Sequence, residues 1–298
     1  MEIVKNIVEK GNSLGFPVIK FVKAHPMSNE IKYFRNWLAL KYNAGMDFLE
    51  RNIEKREFIE LLLTGTKTII VFAYPYPGNV EFVGKLGLKI GKYAVVLDYH
   101  TAIKERLHII GNYIFNEYRI NSRSFVDTAP ILEKQWAIKS GLGWQGKNSL
   151  IINPLLGSYF NIGIMLVDIE LESEIDLKIK SQCGTCNKCI VACPTQAIVA
   201  DKVIDCKKCI VKFAKNDINN LSAAELNVIK TTKYIWGCDI CQDVCPYNKK
   251  RQKEGTVVYN LLNGIENMTE EKFNCTFQYS PIMRIGYKKI KMLIENLF

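Results

Sequence analysis

Apolar and polar residues alternate along the first 175 residues in patterns that predict both strands and helices. An unbroken apolar run within KTIIVFAYPYPGN, at 67–79, predicts a buried strand that leads into a Pro/Gly turn. After Asp98, which can cap a helix, apolar residues recur at helical spacing. SFVD at 124–127, SLII at 149–152 and SYFNIGIMLVDI at 158–169 predict three more strands. This mixture predicts an α+β domain over residues 1–175.

The remainder of the chain divides into two shorter segments. Residues 176–250 are rich in cysteine and loop-like, apart from one helix that begins with the capping box of Ser222 and Glu225. Residues 251–298 predict a small helical tail. We therefore expect three units, of which the first is the largest.

Composition predicts a protein that stays in the cytoplasm. Hydrophobic residues make up 48% of the 298 residues, yet no apolar run reaches the roughly 18 residues that a membrane span requires. The N-terminal segment MEIVKNIVEKGNSLGF lacks the uninterrupted apolar core and the twin arginines of an export signal. We expect no membrane association and a cytoplasmic location.

Cysteine clustering indicates metal binding. Nine of the ten cysteines lie between Cys183 and Cys245, and only Cys275 lies outside. In a reducing compartment this is not a disulfide framework. CGTCNKCIVACP, from Cys183 onward, is a complete C-x2-C-x2-C-x3-C-P run, which is typical of iron–sulfur proteins. Zinc, the main alternative, requires neither the fourth cysteine at that spacing nor the proline. We expect two [4Fe-4S] clusters.

The second cysteine run, GCDICQDVCP at 237–246, supplies only the last three of the four positions. In two-cluster ferredoxins the fourth cysteine of each run ligates the other cluster. This leaves one ligand position of the second cluster, for which Cys206, Cys209 and Cys275 are the candidates. We assign it to Cys209, because in a ferredoxin-like pair of half-repeats the residue that stands first in the second run fills this position. The expected ligands are Cys183, Cys186, Cys189 and Cys245 for the first cluster, and Cys193, Cys209, Cys238 and Cys241 for the second.

The formal charge of +10 arises from 40 Lys and Arg against 30 Asp and Glu, and the excess is uneven. KKRQK at 249–253 follows the last cluster cysteine, and RIGYKKIK at 284–291 lies near the end of the chain. Such runs are commonly solvated surfaces, but they also suit contact with a phosphate backbone. Charge alone leaves both interpretations open.

Another candidate site lies in VDTAPILEKQWAIKSGLGWQGKNSLI at 126–151. Its aspartate ends a predicted strand, and its three glycines form a loop in which backbone can approach a large ligand closely. The tryptophan offers a flat surface, and the Lys-Asn pair offers donors. The simpler interpretation is a glycine-rich turn with a capping aspartate, because the spacing fits neither G-x-G-x-x-G nor a P-loop. The candidates are Asp127, Gly143, Trp144, Lys147 and Asn148.

An ordered set of motifs resembles the epoxyqueuosine reductase family over nearly the whole chain. The motifs are YAVVLDYH at 93–100, VDTAPILE at 126–133, GLGWQGKN at 141–148, GSYFNIG at 157–163, both cysteine runs, KKCI around Cys209, and TEEKF to YSPIMRIG at 269–286. So many motifs in one order are far more specific than a ferredoxin run alone.

The resemblance implies a cobalamin-dependent enzyme that removes the epoxide oxygen from epoxyqueuosine at the wobble position of tRNA. It also implies a fold with base-off cobalamin on the front α+β domain, beside a ferredoxin-like domain with two [4Fe-4S] clusters. The family motif makes Asp127 the proton donor, which requires a pKa well above about 4. Besides Asp127, the expected cofactor contacts are Arg56, Tyr99, His100, Gly143, Trp144, Lys147, Asn148 and Asp239.

The chain ends at Phe298, where longer members of that family continue into a helical-repeat domain. The resemblance therefore implies a short form that grips tRNA through the basic segments 249–253 and 284–291. It also implies a low-potential electron donor of unknown identity, and we expect a monomer. Two alternatives stay open, a dehalogenase-like corrinoid reductase of another small molecule and a plain two-cluster electron carrier.

Overall fold

The computed structural model describes residues 2–171, 179–213, 220–253 and 255–298, so the predicted boundary at 175 and 176 falls outside these ranges. The helices are α1 (Glu2–Ser13), α2 (Ser28–Ala39), α3 (Ile53–Glu57), α4 (Tyr99–Tyr118), α5 (Glu133–Lys139), α6 (Lys188–Ala192), α7 (Ile210–Phe213), α8 (Ala223–Thr232), α9 (Ile240–Asp243), α10 (Lys249–Gln252), α11 (Glu270–Phe277) and α12 (Tyr287–Leu297). The strands are β1 (Val18–Lys23), β2 (Thr68–Pro75), β3 (Val80–Phe82), β4 (Lys89–Ile90), β5 (Ser122–Phe125), β6 (Trp144–Gln145), β7 (Ile151–Ile152), β8 (Phe160–Val167), β9 (Ile198–Ala200), β10 (Val203–Ile204), β11 (Tyr234–Trp236) and β12 (Val257–Tyr259).

A four-stranded antiparallel sheet in the order β1-β2-β8-β5 forms the centre of the front domain. Strand β2 is buried from Thr68 to Ala73 because helices cover both faces of the sheet. Side chains at 69, 71 and 73 pack with residues of α2 and α5, while those at 70 and 72 pack with residues of α1 and α4. Burial on both faces explains why this apolar run is unbroken.

The predicted helix after Asp98 is confirmed as α4, and its cap orients the first turn. The Asp98 carboxylate accepts the backbone N–H of His100 at 3.0 Å. The helix lies close to β8, since a Cβ added at Gly163 would stand 3.0 Å from the side chain of Ile103. Helix α4 therefore packs closely against the sheet just after its first turn.

The cysteine-rich segment has two short helices that pack against each other, α6 after the first cysteines and α9 in the second run. A hairpin of β9 and β10 lies between the two runs. The capping box of Ser222 and Glu225 is confirmed at the start of α8. The two runs thus form similar local structures that meet face to face.

The C-terminal segment is more than the predicted helical tail. It contains α11 and α12, but its strand β12 also pairs in parallel with β3 of the front domain. Strand β11 of the cysteine-rich segment pairs in parallel with β4 in the same way. These parts share one hydrophobic core, in which Ile90, Trp236, Phe273 and Leu293 are buried. Strands of two or three residues have no readable period, so the sequence pattern did not indicate them.

The α+β prediction is confirmed by this mixture of helices with an antiparallel sheet. Among the described residues, no helix combines the length and apolar character needed to cross a membrane.

Candidate functional site

Asp127 lies in the turn between β5 and α5, with a backbone φ of +52°. That left-handed conformation costs a residue other than glycine on the order of 1 kcal/mol. Its carboxylate accepts a hydrogen bond from the Tyr99 hydroxyl at 2.9 Å and lies 3.6 Å from the His100 Nε2 atom. Three of the predicted site residues are therefore brought together by the turn and by the first turn of α4.

A second layer of contacts holds the His100 ring. Asp98 Oδ1 lies 2.8 Å from His100 Nδ1, and Asp98 Oδ2 accepts a bond from the Arg284 guanidinium at 2.7 Å. The guanidinium also lies within 3.2 Å of both ring nitrogens. Arg284 comes from the C-terminal segment, so the tail completes the site. Asp98 was predicted only as a helix cap, and Arg284 only as part of a basic run.

In the chain without bound ligands, the pKa of Asp127 lies below the ordinary value of an aspartate. Burial by surrounding protein raises it, but hydrogen bonds from His100 and Tyr99 and the charges of His100 and Lys134 outweigh that effect. The side chain is nevertheless 65% exposed, so water reaches it. The raised pKa that a proton donor requires is therefore absent from the chain without ligands. Its expected source, burial of Asp127 against cofactor and nucleobase, stays a prediction.

The sequence pattern did not indicate two further site residues beside Asp127. Glu133 Oε1 accepts the backbone N–H of Asp127 at 2.6 Å. Burial, followed by the charge of Asp127, raises the pKa of Glu133 to about 8. Lys134 Nζ donates to the Ser149 carbonyl at 3.1 Å, and burial lowers its pKa. Their place at the start of α5, six and seven positions after Asp127, was the available signal.

The loop GLGWQGKN faces the cysteine-rich segment rather than Asp127. Trp144 is only 2% exposed and packs edge-on against Tyr247, with the two ring centroids 4.8 Å apart. It therefore offers no open flat surface. Lys147 pairs with Asp201 at 3.4 Å, and Asn148 Nδ2 donates to the Cys241 carbonyl at 3.3 Å. In this structure the loop is therefore an interdomain contact, and its expected contacts with the cofactor stay a prediction.

The need for glycine at position 143 of that loop has a structural explanation. A Cβ added at Gly143 would collide with the carbonyl of Ile152 on the neighbouring strand. The close approach at this position is therefore made by the chain's own β7 and does not require a ligand.

Arg56 and Asp239 are both closed off from solvent. Arg56 is 6% exposed, and its Nη2 donates to the Phe48 carbonyl at 3.3 Å. Asp239 is 1% exposed and accepts the Lys92 backbone N–H at 2.6 Å. Burial raises the pKa of Asp239 to about 7. Within the described ranges, no contact joins either side chain to the Asp127 carboxylate.

The cysteines form two electrostatic groups. Burial raises the pKa of Cys245, as do the charges of Cys183 and Cys186, and burial likewise raises the pKa of Cys189, with contributions from Cys183 and Cys245. Burial raises the pKa of Cys241, with further contributions from Cys238, Cys209 and Cys193. These interactions link members of each predicted ligand set with one another, and the ligation itself stays a prediction.

The donor chemistry of both groups fits iron–sulfur clusters. No three His, Cys, Asp or Glu side chains of the described residues converge enough to hold a single metal ion. A [4Fe-4S] cluster instead takes its four thiolates on four different irons, so its ligands surround a volume rather than a point. A backbone amide, that of Ala197, also donates to the Cys193 sulfur at 3.3 Å, as is common around cluster ligands.

The side chains around Asp127 fit a large polar cofactor in their chemistry. Tyr99 and Lys134 supply polar atoms besides the Asp127 carboxylate, which water reaches. The charge of Cys241, a predicted ligand of the second cluster, acts on Lys134. Tyr99, Asp127 and Lys134 are therefore the side chains that would hold a redox cofactor here.

Two family models match the chain. The model of a 4Fe-4S double cluster binding domain matches residues 182–248, and the model of epoxyqueuosine reductase QueG, DUF1730, matches residues 56–128. Full-length relatives carry the same name. The chain is 36% identical to an epoxyqueuosine reductase of Cyclobacterium marinum, over 99% of this chain and 96% of that one. It is 35% identical to an epoxyqueuosine reductase of Escherichia coli (strain K12), over 96% of this chain and 78% of the relative.

Solved structures match the whole fold. The epoxyqueuosine reductase of Streptococcus thermophilus superposes with a TM-score of 0.85 at 26% identity, covering 98% of this chain and 80% of the other. A crystal structure of epoxyqueuosine reductase with an epoxyqueuosine-modified tRNA-Tyr stem loop gives a TM-score of 0.83 at 25% identity, with the same coverage.

Proposed function

We propose that this chain, which belongs to the epoxyqueuosine reductase family, reduces epoxyqueuosine to queuosine at the wobble position of tRNA. The observation that carries the proposal is the position of the Asp127 site. A carboxylate held by Tyr99 and His100 opens to solvent beside a cysteine group suited to a [4Fe-4S] cluster. Proton delivery and electron delivery therefore meet in one place.

The reaction needs both deliveries. Both carbon–oxygen bonds of the epoxide break and a carbon–carbon double bond forms, which consumes two electrons and two protons and releases the oxygen as water. Asp127 is the group placed to give a proton to the departing oxygen. It is ionised in the unliganded chain, because hydrogen bonds and nearby charge hold its pKa low. Binding of substrate and cofactor must exclude water from the Asp127 carboxylate before it can act as an acid.

Electrons reach the site through the two clusters. In this proposal Cys183, Cys186, Cys189 and Cys245 hold the first cluster, and Cys193, Cys209, Cys238 and Cys241 hold the second. Base-off cobalamin, when bound, would supply a strongly reducing cobalt centre. Tyr99, His100 and Lys134 would hold it beside Asp127, while the GLGWQGKN loop would keep the cluster domain in place. A separate low-potential donor must reduce the clusters.

The substrate is a tRNA, and the chain is basic enough to bind one. Lys249 and Lys250 are exposed on α10, and Arg284 joins the rim of the site. These positive charges suit the phosphates around an anticodon loop. A tRNA substrate places the reaction in the cytoplasm, and we propose that a monomer carries it out.

The test is an anaerobic conversion assay. Cluster-reconstituted protein and a strong reductant are incubated with epoxyqueuosine-containing tRNA, with and without cobalamin, and the digested nucleosides are weighed by mass spectrometry. Queuosine formed only with cobalamin is the expected result. Bound cobalamin without conversion would instead indicate a corrinoid reductase of another substrate. Two clusters with neither conversion nor cobalamin binding would leave a plain electron carrier.

A further inference from the structure

The turn that carries Asp127 has little backbone support of its own. Residues 127–131 lie between β5 and α5. Within this described stretch, one hydrogen bond joins two backbone groups: the Ile131 amide donates to the Ala129 carbonyl at 2.8 Å. Asp127 itself adopts a left-handed conformation that a side chain disfavours. Something outside the turn must therefore hold Asp127 in place.

Glu133 makes that contact. Its Oε1 atom accepts the Asp127 amide at 2.6 Å and closes the seven-residue stretch from 127 to 133 into a loop. Glu133 is itself placed firmly, because it begins α5, whose Trp136 and Ala137 are fully buried. At the other end of this helix, Lys139 pairs with Glu30 at 2.9 Å. A fixed helix thus holds the backbone of a strained turn through one side chain.

The Asp127 carboxylate is oriented from the opposite side. Tyr99 donates to Oδ2 at 2.9 Å, and His100 lies 3.6 Å from the same atom. These two contacts fix the carboxylate only if the backbone of Asp127 stays where it is. The aspartate is therefore held at two points, its amide by α5 and its carboxylate by α4.

We propose that Glu133 is a positioning residue for the proton donor, and that its carboxyl oxygen keeps the Asp127 turn closed so that the carboxylate stays against Tyr99 and His100. The proposal rests on the proposed function for its effect on turnover. Its effect on the turn does not depend on any substrate. Glu133 acts through Asp127 and need not touch the reacting atoms.

The test compares three substitutions at one position. Glu133→Gln keeps an oxygen acceptor at the same reach, Glu133→Ala removes it, and Glu133→Asp keeps the carboxyl group but shortens the side chain. We expect Glu133→Ala and Glu133→Asp to lower the turnover number about 5- to 10-fold, the factor that one hydrogen bond between uncharged groups represents. KM for tRNA should stay unchanged, and Glu133→Gln should remain within about twofold of wild type.

Hydrogen–deuterium exchange of the segment 122–135 supplies a readout without substrate. Exchange at the turn should rise in Glu133→Ala and Glu133→Asp but not in Glu133→Gln. Glu30→Ala is the matched control, because it removes the ion pair at the far end of α5 without touching Asp127. It should leave both the turn and turnover as in wild type.

Defined results would overturn the proposal. Unchanged exchange in Glu133→Asp, which retains a carboxyl group on a shorter side chain, would show that the bond does not hold the turn. A loss of turnover in Glu133→Gln as large as in Glu133→Ala would show that the carboxyl group itself matters rather than an oxygen acceptor. If wild-type protein fails to convert epoxyqueuosine, the proposed function fails, and the exchange comparison still decides whether Glu133 holds the turn.

Discussion

At the scale of single residues, the site depends on two carboxyl groups in different environments. Asp127 is open to water and has its pKa lowered by His100 and Tyr99. Glu133 is crowded by protein, and burial raises its pKa to about 8. The aspartate therefore needs ligand binding to become an acid, whereas the glutamate holds its proton near neutral pH.

Replacement of Asp127 by asparagine tests the donor directly. Asparagine tolerates the left-handed backbone and can still accept the Tyr99 hydroxyl, so the turn should survive. We expect conversion of epoxyqueuosine to fall about 100-fold or more, because general acid catalysis is lost. Iron content and cobalamin binding should stay normal. Asp168→Asn, an exposed aspartate that bonds Asn121, serves as control. A near-normal rate in Asp127→Asn would remove Asp127 from the mechanism.

Glu133 should also leave a signature in the pH dependence of stability. The unfolded chain loses this proton near pH 4.5, whereas the folded chain keeps it to about pH 8, with Asp127 and Lys134 as its charged neighbours. Because the folded state binds more protons in that window, this residue's contribution to stability falls as pH rises from about 4.5 to about 8. The melting temperature of wild type minus that of Glu133→Gln should therefore decrease across the window. A difference that stays constant with pH would contradict the raised pKa.

At the scale of elements, short helices and strands bring the cysteines together. Helices α6 and α9 follow corresponding cysteines in the two runs and pack against each other. Cys209 stands just before α7, and its charge acts on Cys238 and Cys241. This interaction favours Cys209 as the fourth ligand of the second cluster, which stays a prediction.

Serine substitutions separate the two cysteines of that insertion. Cys209→Ser should remove about half of the iron and sulfide, because a [4Fe-4S] cluster without its fourth thiolate is not retained. Cys206→Ser should keep both clusters, since Cys206 is outside the two predicted ligand sets, and it serves as the matched control. Iron and acid-labile sulfide are measured after anaerobic reconstitution. Equal iron content in the two variants would exclude the assignment of Cys209.

At the scale of the whole molecule, a buried polar network joins the front domain to the cluster domain. Lys92 Nζ contacts Asp243 at 2.6 Å, the Gly78 carbonyl at 3.0 Å and the Tyr159 hydroxyl at 3.3 Å. The Tyr159 hydroxyl also donates to Asp243 at 2.6 Å. Since Asp243 lies between two predicted cluster ligands, this network fixes the cluster domain against the front domain.

Loss of the lysine should loosen this junction. Lys92→Met leaves the Asp243 carboxylate without its cation, and we expect the free energy of unfolding to fall by about 2 kcal/mol. Lys85→Met, at an exposed position nearby, should change stability little. Thermal unfolding of the reconstituted proteins measures both. An unchanged melting temperature in Lys92→Met would show that the junction is held by its other contacts.

Binding of tRNA should depend on α10. Lys249→Glu combined with Lys250→Glu should weaken tRNA binding about tenfold or more at 0.1 M salt and reduce its salt dependence, because fewer counterions are released. Lys5→Glu combined with Lys10→Glu makes the same change in net charge on α1 and should have a smaller effect. Affinity is measured by filter binding over a range of salt concentrations. Equal losses in the two pairs would mean that overall charge, not this surface, governs binding.

The amino-acid sequence by itself determined the features that local chemistry dictates. The spacing of the cysteines indicated two clusters, and the unbroken run at 67–79 indicated a buried strand. The capped helix after Asp98 followed from side chains within one helical turn. Ordered motifs indicated the family, since such motifs are read along the chain.

Only the tertiary structure decided which distant residues meet. Arg284 reaches Asp98 across 186 positions, and Lys92 reaches Asp243 across 151, pairings that no local pattern encodes. Trp144 proved to be buried against Tyr247 rather than open to a ligand. The lowered pKa of Asp127 likewise depends on groups from other elements. The physical reason is the same in each case: burial and charge arise from chain segments brought together by the common core, and their sum is defined only in the folded molecule.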